Sequence, residues 1–234
     1  MNDVTPDTLF RTVDLIGVVA NSLLGGAVAR GRGYDMIGFL FLAISSALGG
    51  GIMRDVMLSI GFPVALTDPF YLTGAIAGAV IAYFIVLDDK FSRVLLSVAD
   101  VLALGCWSAT GASKALAAGL GWVPAIFIGV LTAVGGGVLR DVMTNQEPSV
   151  FGGQPVYATL SIFSSIAMVV LQSNGLYAWG MGLAIALAGV LGLLARWQNW
   201  QLPGAATLVL PRPSLSGRRR PAWLRRRRAD EDED

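Results

Sequence analysis

Seven ionisable side chains stand in or beside long apolar stretches of this sequence: Asp14, Arg54, Asp55, Asp100, Lys114, Arg140 and Asp141. Charged groups at such positions usually face a water-filled cavity or one another, and four acids against three bases form a nearly balanced set; interfacial snorkelling is the alternative for the two Arg-Asp pairs. A glycine triplet precedes each Arg-Asp pair: Gly49, Gly50 and Gly51 before Arg54-Asp55, and Gly135, Gly136 and Gly137 before Arg140-Asp141. Each glycine inside a helix costs roughly 1 kcal/mol relative to alanine. Three in a row predict a kink or break, which lipid tolerates only against protein or around a water-filled cavity. Close helix approach at small residues is the alternative reading of the same triplets. Catalytic chemistry has little to work with. The chain has no histidine and a single cysteine, Cys106. A Ser-His-Asp triad and a CxxC site are therefore excluded, as are most zinc sites. Without metal-ligand or phosphate-loop spacing either, the expectation is a protein that is not an enzyme and holds no cofactor.

The elements that position these residues are set by hydropathy. Of the 234 residues, 54% are hydrophobic and 14% charged, and the mean hydropathy is +0.64. That is a membrane composition. A hydrocarbon core of about 30 Å needs roughly 20 apolar residues. Seven spans of about that size are predicted, at 9–29, 36–57, 70–87, 94–118, 122–143, 155–171 and 176–195. Residues 1–8 form a short polar start, and 211–234 form a charged tail with arginines at 212, 218–220 and 225–228. Arg30 and Arg32, Lys90 and Arg93, and the tail arginines all fall on one side of a seven-span chain. The positive-inside rule then places the N-terminus outside and the C-terminus in the cytoplasm.

Sliding the sequence by 86 residues superposes Asp14 on Asp100, Ser22 on Ser108, Gly25 on Gly111 and Gly33 on Gly119. The run Gly49 to Met57 then lies on Gly135 to Met143, and Pro69, Tyr71 and Thr73 meet Pro155, Tyr157 and Thr159. Two repeats follow, 9–87 and 94–171, with the seventh span 176–195 outside them. Three spans per repeat is an odd number, so the second copy crosses the bilayer upside down relative to the first. The fold class read from this pattern is an all-α integral membrane protein with an inverted 3+3 repeat plus one helix.

That topology predicts contacts. Asp14 and Arg54 fall at similar depth at one mouth, and Asp100 and Arg140 at the other, so two symmetry-related ion pairs are expected to brace the pore, the alternative being that each arginine pairs only with its own neighbouring aspartate or with headgroups. Asp55 and Asp141 are then freer to attract cations. Lys114 lies well inside its span, where Val28 holds the equivalent place, and is expected to reach the pore as a gate charge, the alternative being a lysine that snorkels to an interface. Trp107, Trp122, Trp179, Trp197 and Trp200 read as an interfacial aromatic belt. Ser45 and Ser46, just before the first triplet, are candidates to line a cavity.

The doubled Gly-Gly-Gly-x-x-Arg-Asp motif, twice three spans and a seventh helix resemble the bacterial trimeric intracellular cation (TRIC) channels, over roughly residues 9–195. The resemblance implies a homotrimer in the bacterial inner membrane. Each protomer would have its own pore, kinked at the glycines of the second and fifth spans, and would pass monovalent cations such as potassium or sodium. Family members also carry the description glycine-transporter domain, which makes a secondary transporter of a small amino acid such as glycine the alternative. Animal relatives have a Lys-Glu-Val motif in the fourth span and bind phosphoinositide between subunits; here the stretch reads Lys114-Ala115-Leu116, without the glutamate. Partners implied are the chain itself, membrane lipid and monovalent cations, with no nucleic acid.

Overall fold

The computed structural model describes residues 6–86, 89–151 and 157–198. The first five residues and the charged tail 211–234, with Trp200, lie outside the described residues. In chain order the helices are α1 (Pro6–Gly31), α2 (Met36–Leu58), α3 (Val64–Thr67), α4 (Pro69–Phe84), α5 (Lys90–Ala117), α6 (Trp122–Met143), α7 (Tyr157–Ser173) and α8 (Tyr177–Trp197). A 3₁₀ turn, Ser149–Phe151, stands between α6 and α7. Five helices, α1, α2, α5, α6 and α8, are long and apolar enough to cross a membrane, and α4 and α7 are shorter apolar helices. No strand occurs among the described residues. The protein is an all-helical membrane protein.

Local sequence sets where each helix starts and stops. Asp35 caps α2, its carboxylate accepting from the Gly38 amide at 2.7 Å. Asp68 caps α4 at Phe70, just before Pro69 at the first helical position. Side-chain oxygens at these positions satisfy amides that the helix itself leaves unpaired. At the other ends, α1 and α5 are followed by Gly33 at φ 67° and Gly119 at φ 83°. In both, the next amide reaches back five residues, Tyr34 to the Ala29 carbonyl and Leu120 to that of Ala115. The left-handed conformation suits glycine because it has no Cβ. The helices α2 and α6 end on Ser59 and Asn145, both at φ 52°. All four sites obey the 86-residue correspondence, so backbone geometry repeats along with the sequence.

Each repeat is built around its first long helix. In the first, α1 packs against α2 and α4; in the second, α5 packs against α6 and α7. The halves meet through α2 against α6 and α1 against α5, and α8 lies on α5 and α7. Small residues make these contacts close: a Cβ on Gly105 would lie 2.7 Å from the Ala184 carbonyl oxygen and 2.8 Å from the Ala188 methyl. Buried serines tie the layers together. Ser22 donates to the Ala75 carbonyl at 2.6 Å, and its equivalent Ser108 donates to Ser161 at 2.8 Å.

Candidate functional site

Both glycine triplets lie within unbroken helix, since α2 runs from Met36 to Leu58 and α6 from Trp122 to Met143 without interruption. Of the kink or break expected from the sequence, a break does not occur. In lipid each unpaired backbone group costs several kcal/mol, more than the propensity cost of a glycine, so an uninterrupted helix is the cheaper solution. The triplets also allow close approach. A Cβ on Gly50 would overlap the carbonyl oxygen of Thr132, and a Cβ on Gly136 would overlap that of Ser46. Position 46 corresponds to 132 and position 50 to 136. Contacts that exchange equivalent residues in this way mark a two-fold relation, as in an isologous dimer interface. The third glycines differ: beside Gly51 and Gly137 the nearest atoms are guanidinium nitrogens of Arg54 and Arg140, at 3.8 and 3.7 Å.

Beside this crossing, on the side where α1 begins, lies a cavity of about 40 Å³. Its wall includes Asp14, Ser46, Gly50, Gly51, Arg54, Asp55, Tyr71 and Trp107. Room on this scale admits a few water molecules.

The charges are not paired as the sequence suggests. Arg54 binds its own neighbour, with Nε on Asp55 Oδ1 at 2.8 Å and Nη2 on Oδ2 at 3.1 Å. Arg140 likewise binds Asp141 at 2.8 Å. The cross-helix pairs Asp14–Arg54 and Asp100–Arg140 are therefore replaced by two Arg-Asp neighbour pairs. The physical reason is competition: both oxygens of Asp14 are already engaged by neutral donors, Oδ1 by Trp107 Nε1 at 2.6 Å and Oδ2 by the Tyr71 hydroxyl. Nor are Asp55 and Asp141 free. Asp55 accepts from Arg54, from the Val64 amide at 2.9 Å, and from Lys114 at 3.2 Å. Lys114 thus reaches across from α5 to the end of α2. The Val64 contact gives the short α3 its place beneath the cavity.

Asp100 shows the same design with one addition. Its Oδ1 accepts from the Tyr157 hydroxyl at 2.9 Å and from Asn21 at 3.4 Å. Tyr157 corresponds to Tyr71, and Asn21 occupies the place that Trp107 holds in the second repeat. Its Oδ2 accepts from Arg196 of α8 at 2.8 Å. Arg196 also donates to the Ser97 carbonyl at 2.9 Å.

Sequence reading finds the acids but misses their donors. Trp107 is only 9% exposed and holds a carboxylate, so it does not belong to an interfacial belt, whereas Trp122, Trp179 and Trp197 are largely exposed near helix ends. Tyr71 and Tyr157 carried a signal, since both match at the 86-residue shift. Arg196 carried none beyond its position near the end of an apolar helix. Ser46 is 1% exposed, and its hydroxyl has no hydrogen-bond partner among the described residues.

A domain model described as glycine transporter matches the chain twice, at residues 11–86 and 97–173. The chain belongs to the TRIC family. Among its relatives, a UPF0126 membrane protein of Deinococcus radiodurans is 35% identical over 165 residues, covering 69% of this chain and 76% of the relative. A solved TRIC cation channel, studied for the structural basis of its conductance, superposes with a TM-score of 0.77 at 27% identity, over 86% of this chain and 99% of the other. The TRIC trimeric intracellular cation channel orthologue from Rhodobacter sphaeroides gives a TM-score of 0.73 at 27% identity, over 82% and 99%.

Proposed function

We propose that the chain is a cation channel of the bacterial inner membrane, passing monovalent cations such as potassium through one pore in each protomer of a homotrimer. The observation that carries this reading is the cavity at the α2–α6 crossing, lined within a single chain by Asp14, Ser46, Arg54 and Asp55. Polar groups inside a membrane helix bundle are costly, and their usual use is an ion or water path. Likeness to TRIC cation channels supports the same conclusion.

In this reading the two triplets form the constriction and its hinge. Gly50 and Gly136 hold the backbones together, and Gly51 and Gly137 leave room beside them for a change of helix direction. Lys114, on Asp55 at 3.2 Å, is the gate charge, and its displacement from Asp55 opens the mouth. Positive charge at the end of α1 and the start of α5 orients the chain with its N-terminus outside. The tail arginines meet anionic lipid on the cytoplasmic face.

The test is single-channel recording of the full chain in a planar bilayer under a potassium gradient. Discrete unitary currents reversing near the potassium equilibrium potential are expected. Saturable glycine uptake into proteoliposomes, without unitary currents, would overturn the channel reading in favour of a transporter.

A further inference from the structure

The two repeats present the same carboxylate cradle, yet they complete it differently. Asp100 takes a tyrosine hydroxyl, an amide nitrogen and, on its remaining oxygen, the Arg196 guanidinium at 2.8 Å. Asp14 takes a tyrosine hydroxyl and an indole nitrogen, both neutral. Arg196 belongs to α8, which lies outside the repeat, so the first half has no helix to deliver an equivalent cation. Asp14 instead forms part of the wall of the cavity beside the α2–α6 crossing.

A second observation points to a ligand there. Ser46 lines the same cavity, is 1% exposed, and leaves its hydroxyl oxygen without a partner among the described residues. Its equivalent, Thr132, satisfies its own hydroxyl on the Ile128 carbonyl at 2.6 Å. A buried hydroxyl with no partner normally holds water or an ion. Resting on the channel reading above, we propose that Asp14 and Ser46 form a binding site for an exchangeable monovalent alkali cation, which occupies in the first repeat the role that Arg196 fills permanently in the second.

The surrounding charges set its strength. Arg54 and Lys114 flank Asp55, giving this trio one net positive charge, which Asp14 balances. A cation entering beside Asp14 is therefore attracted by one carboxylate and by neutral oxygens, and opposed by two cationic side chains already spent on Asp55. The site is weak and fast, as conduction requires. Oxygen ligands of this kind suit a hard alkali ion.

The experiment uses the full chain. Conductance is measured against potassium concentration in planar bilayers, and thermal unfolding of the detergent-solubilised protein is measured in potassium chloride against N-methylglucamine chloride at equal ionic strength. Wild type is expected to show saturating conductance and a melting temperature raised by potassium. In Asp14→Asn the half-saturating concentration should rise about tenfold, the size of one lost charge-assisted contact, and the potassium-dependent protection should disappear. Because Asp14→Asn also alters hydrogen bonds to Tyr71 and Trp107, Ser46→Ala serves as the second variant. It removes no protein hydrogen bond and is expected to raise the half-saturating concentration and reduce the protection. Unchanged half-saturation and unchanged protection in Ser46→Ala, or in a folded Asp14→Asn, overturns the site while leaving the channel intact. A wild type that potassium protects but that carries no current overturns the channel reading and leaves the site standing.

Discussion

Asp14 and Asp100 are equivalent residues of an internal repeat, but only Asp100 meets a guanidinium, that of Arg196 at 2.8 Å. The eighth helix thus makes the two halves chemically different while leaving their backbones alike.

Removing that pair on one side only should be costly. Arg196→Ala strands a mostly buried carboxylate, and breaking a buried ion pair by removing one partner is destabilising by about 3–5 kcal/mol, toward or below the low end here because Arg196 is partly exposed. The double variant Arg196→Gln with Asp100→Asn is expected to recover most of that loss. Thermal unfolding of wild type, Arg196→Ala and the double variant checks it, and a double variant no more stable than Arg196→Ala argues against the pairing.

Within each triplet the glycines should separate sharply. Gly50→Ala and Gly136→Ala drive a methyl into a backbone carbonyl that no rotamer change can move, so a loss of about 1–3 kcal/mol or more is expected. Gly51→Ala and Gly137→Ala meet only flexible guanidinium ends and should be neutral or gain up to about 1 kcal/mol from helix propensity. Melting temperatures of the four variants decide this. If Gly51→Ala is stable yet alters unitary conductance, the hinge assigned to it is supported; identical channels would leave the triplet a packing device alone.

Lys114→Ala removes one of the partners of Asp55 while Arg54 keeps two contacts on it. Stability should change little, by about 1 kcal/mol or less. Open probability should rise, with shallow voltage dependence, because one charge crossing the full field contributes about 2.3 kcal/mol per 100 mV. Recordings at several voltages test this, and gating indistinguishable from wild type would assign Lys114 to anchoring α5 alone.

The cap of α5 carries a pH signature. Asp89 accepts from the Ser92 amide at 2.9 Å and from its hydroxyl at 2.5 Å. The Ser92 side chain and then its amide hold the Asp89 carboxyl below its ordinary range. A lowered folded-state value means that the contribution is present at neutral pH and is lost as pH falls through that value. Asp89→Asn keeps the cap geometry without the charge, so its deficit in melting temperature relative to wild type should be greatest near neutrality and vanish in acid. A deficit independent of pH would show that geometry alone matters.

Hydropathy marked the long helices to within a few residues at most ends, because twenty apolar residues in lipid have few alternatives to helix. The repeat was legible because tight helix packing demands particular residues at particular places: Gly33 and Gly119, Ser22 and Ser108, and the triplets. What could not be read was which donor each buried acid would take. Arg54 stands beside Asp55 in sequence and can bind it without leaving its helix, an alternative that depth arguments alone do not rank against the cross-helix pair. Trp107 and Tyr71 reach Asp14 from other helices, and an indole looks the same in sequence whether it faces lipid headgroups or a carboxylate. The α2–α6 contact was one of two readings of the triplets, and only the position of the Thr132 carbonyl separates them.

The crossing itself has a further consequence. Its contacts come in two copies, Gly50 with Thr132 and Gly136 with Ser46, and the two copies differ by a single methyl group. The branched threonine is confined to few rotamers and returns its hydroxyl to its own helix. Serine, without that methyl, keeps its rotational freedom and leaves its oxygen uncommitted. A difference of one carbon atom between two halves of a duplicated chain then separates a hydroxyl committed to its own helix from one without a partner among the described residues.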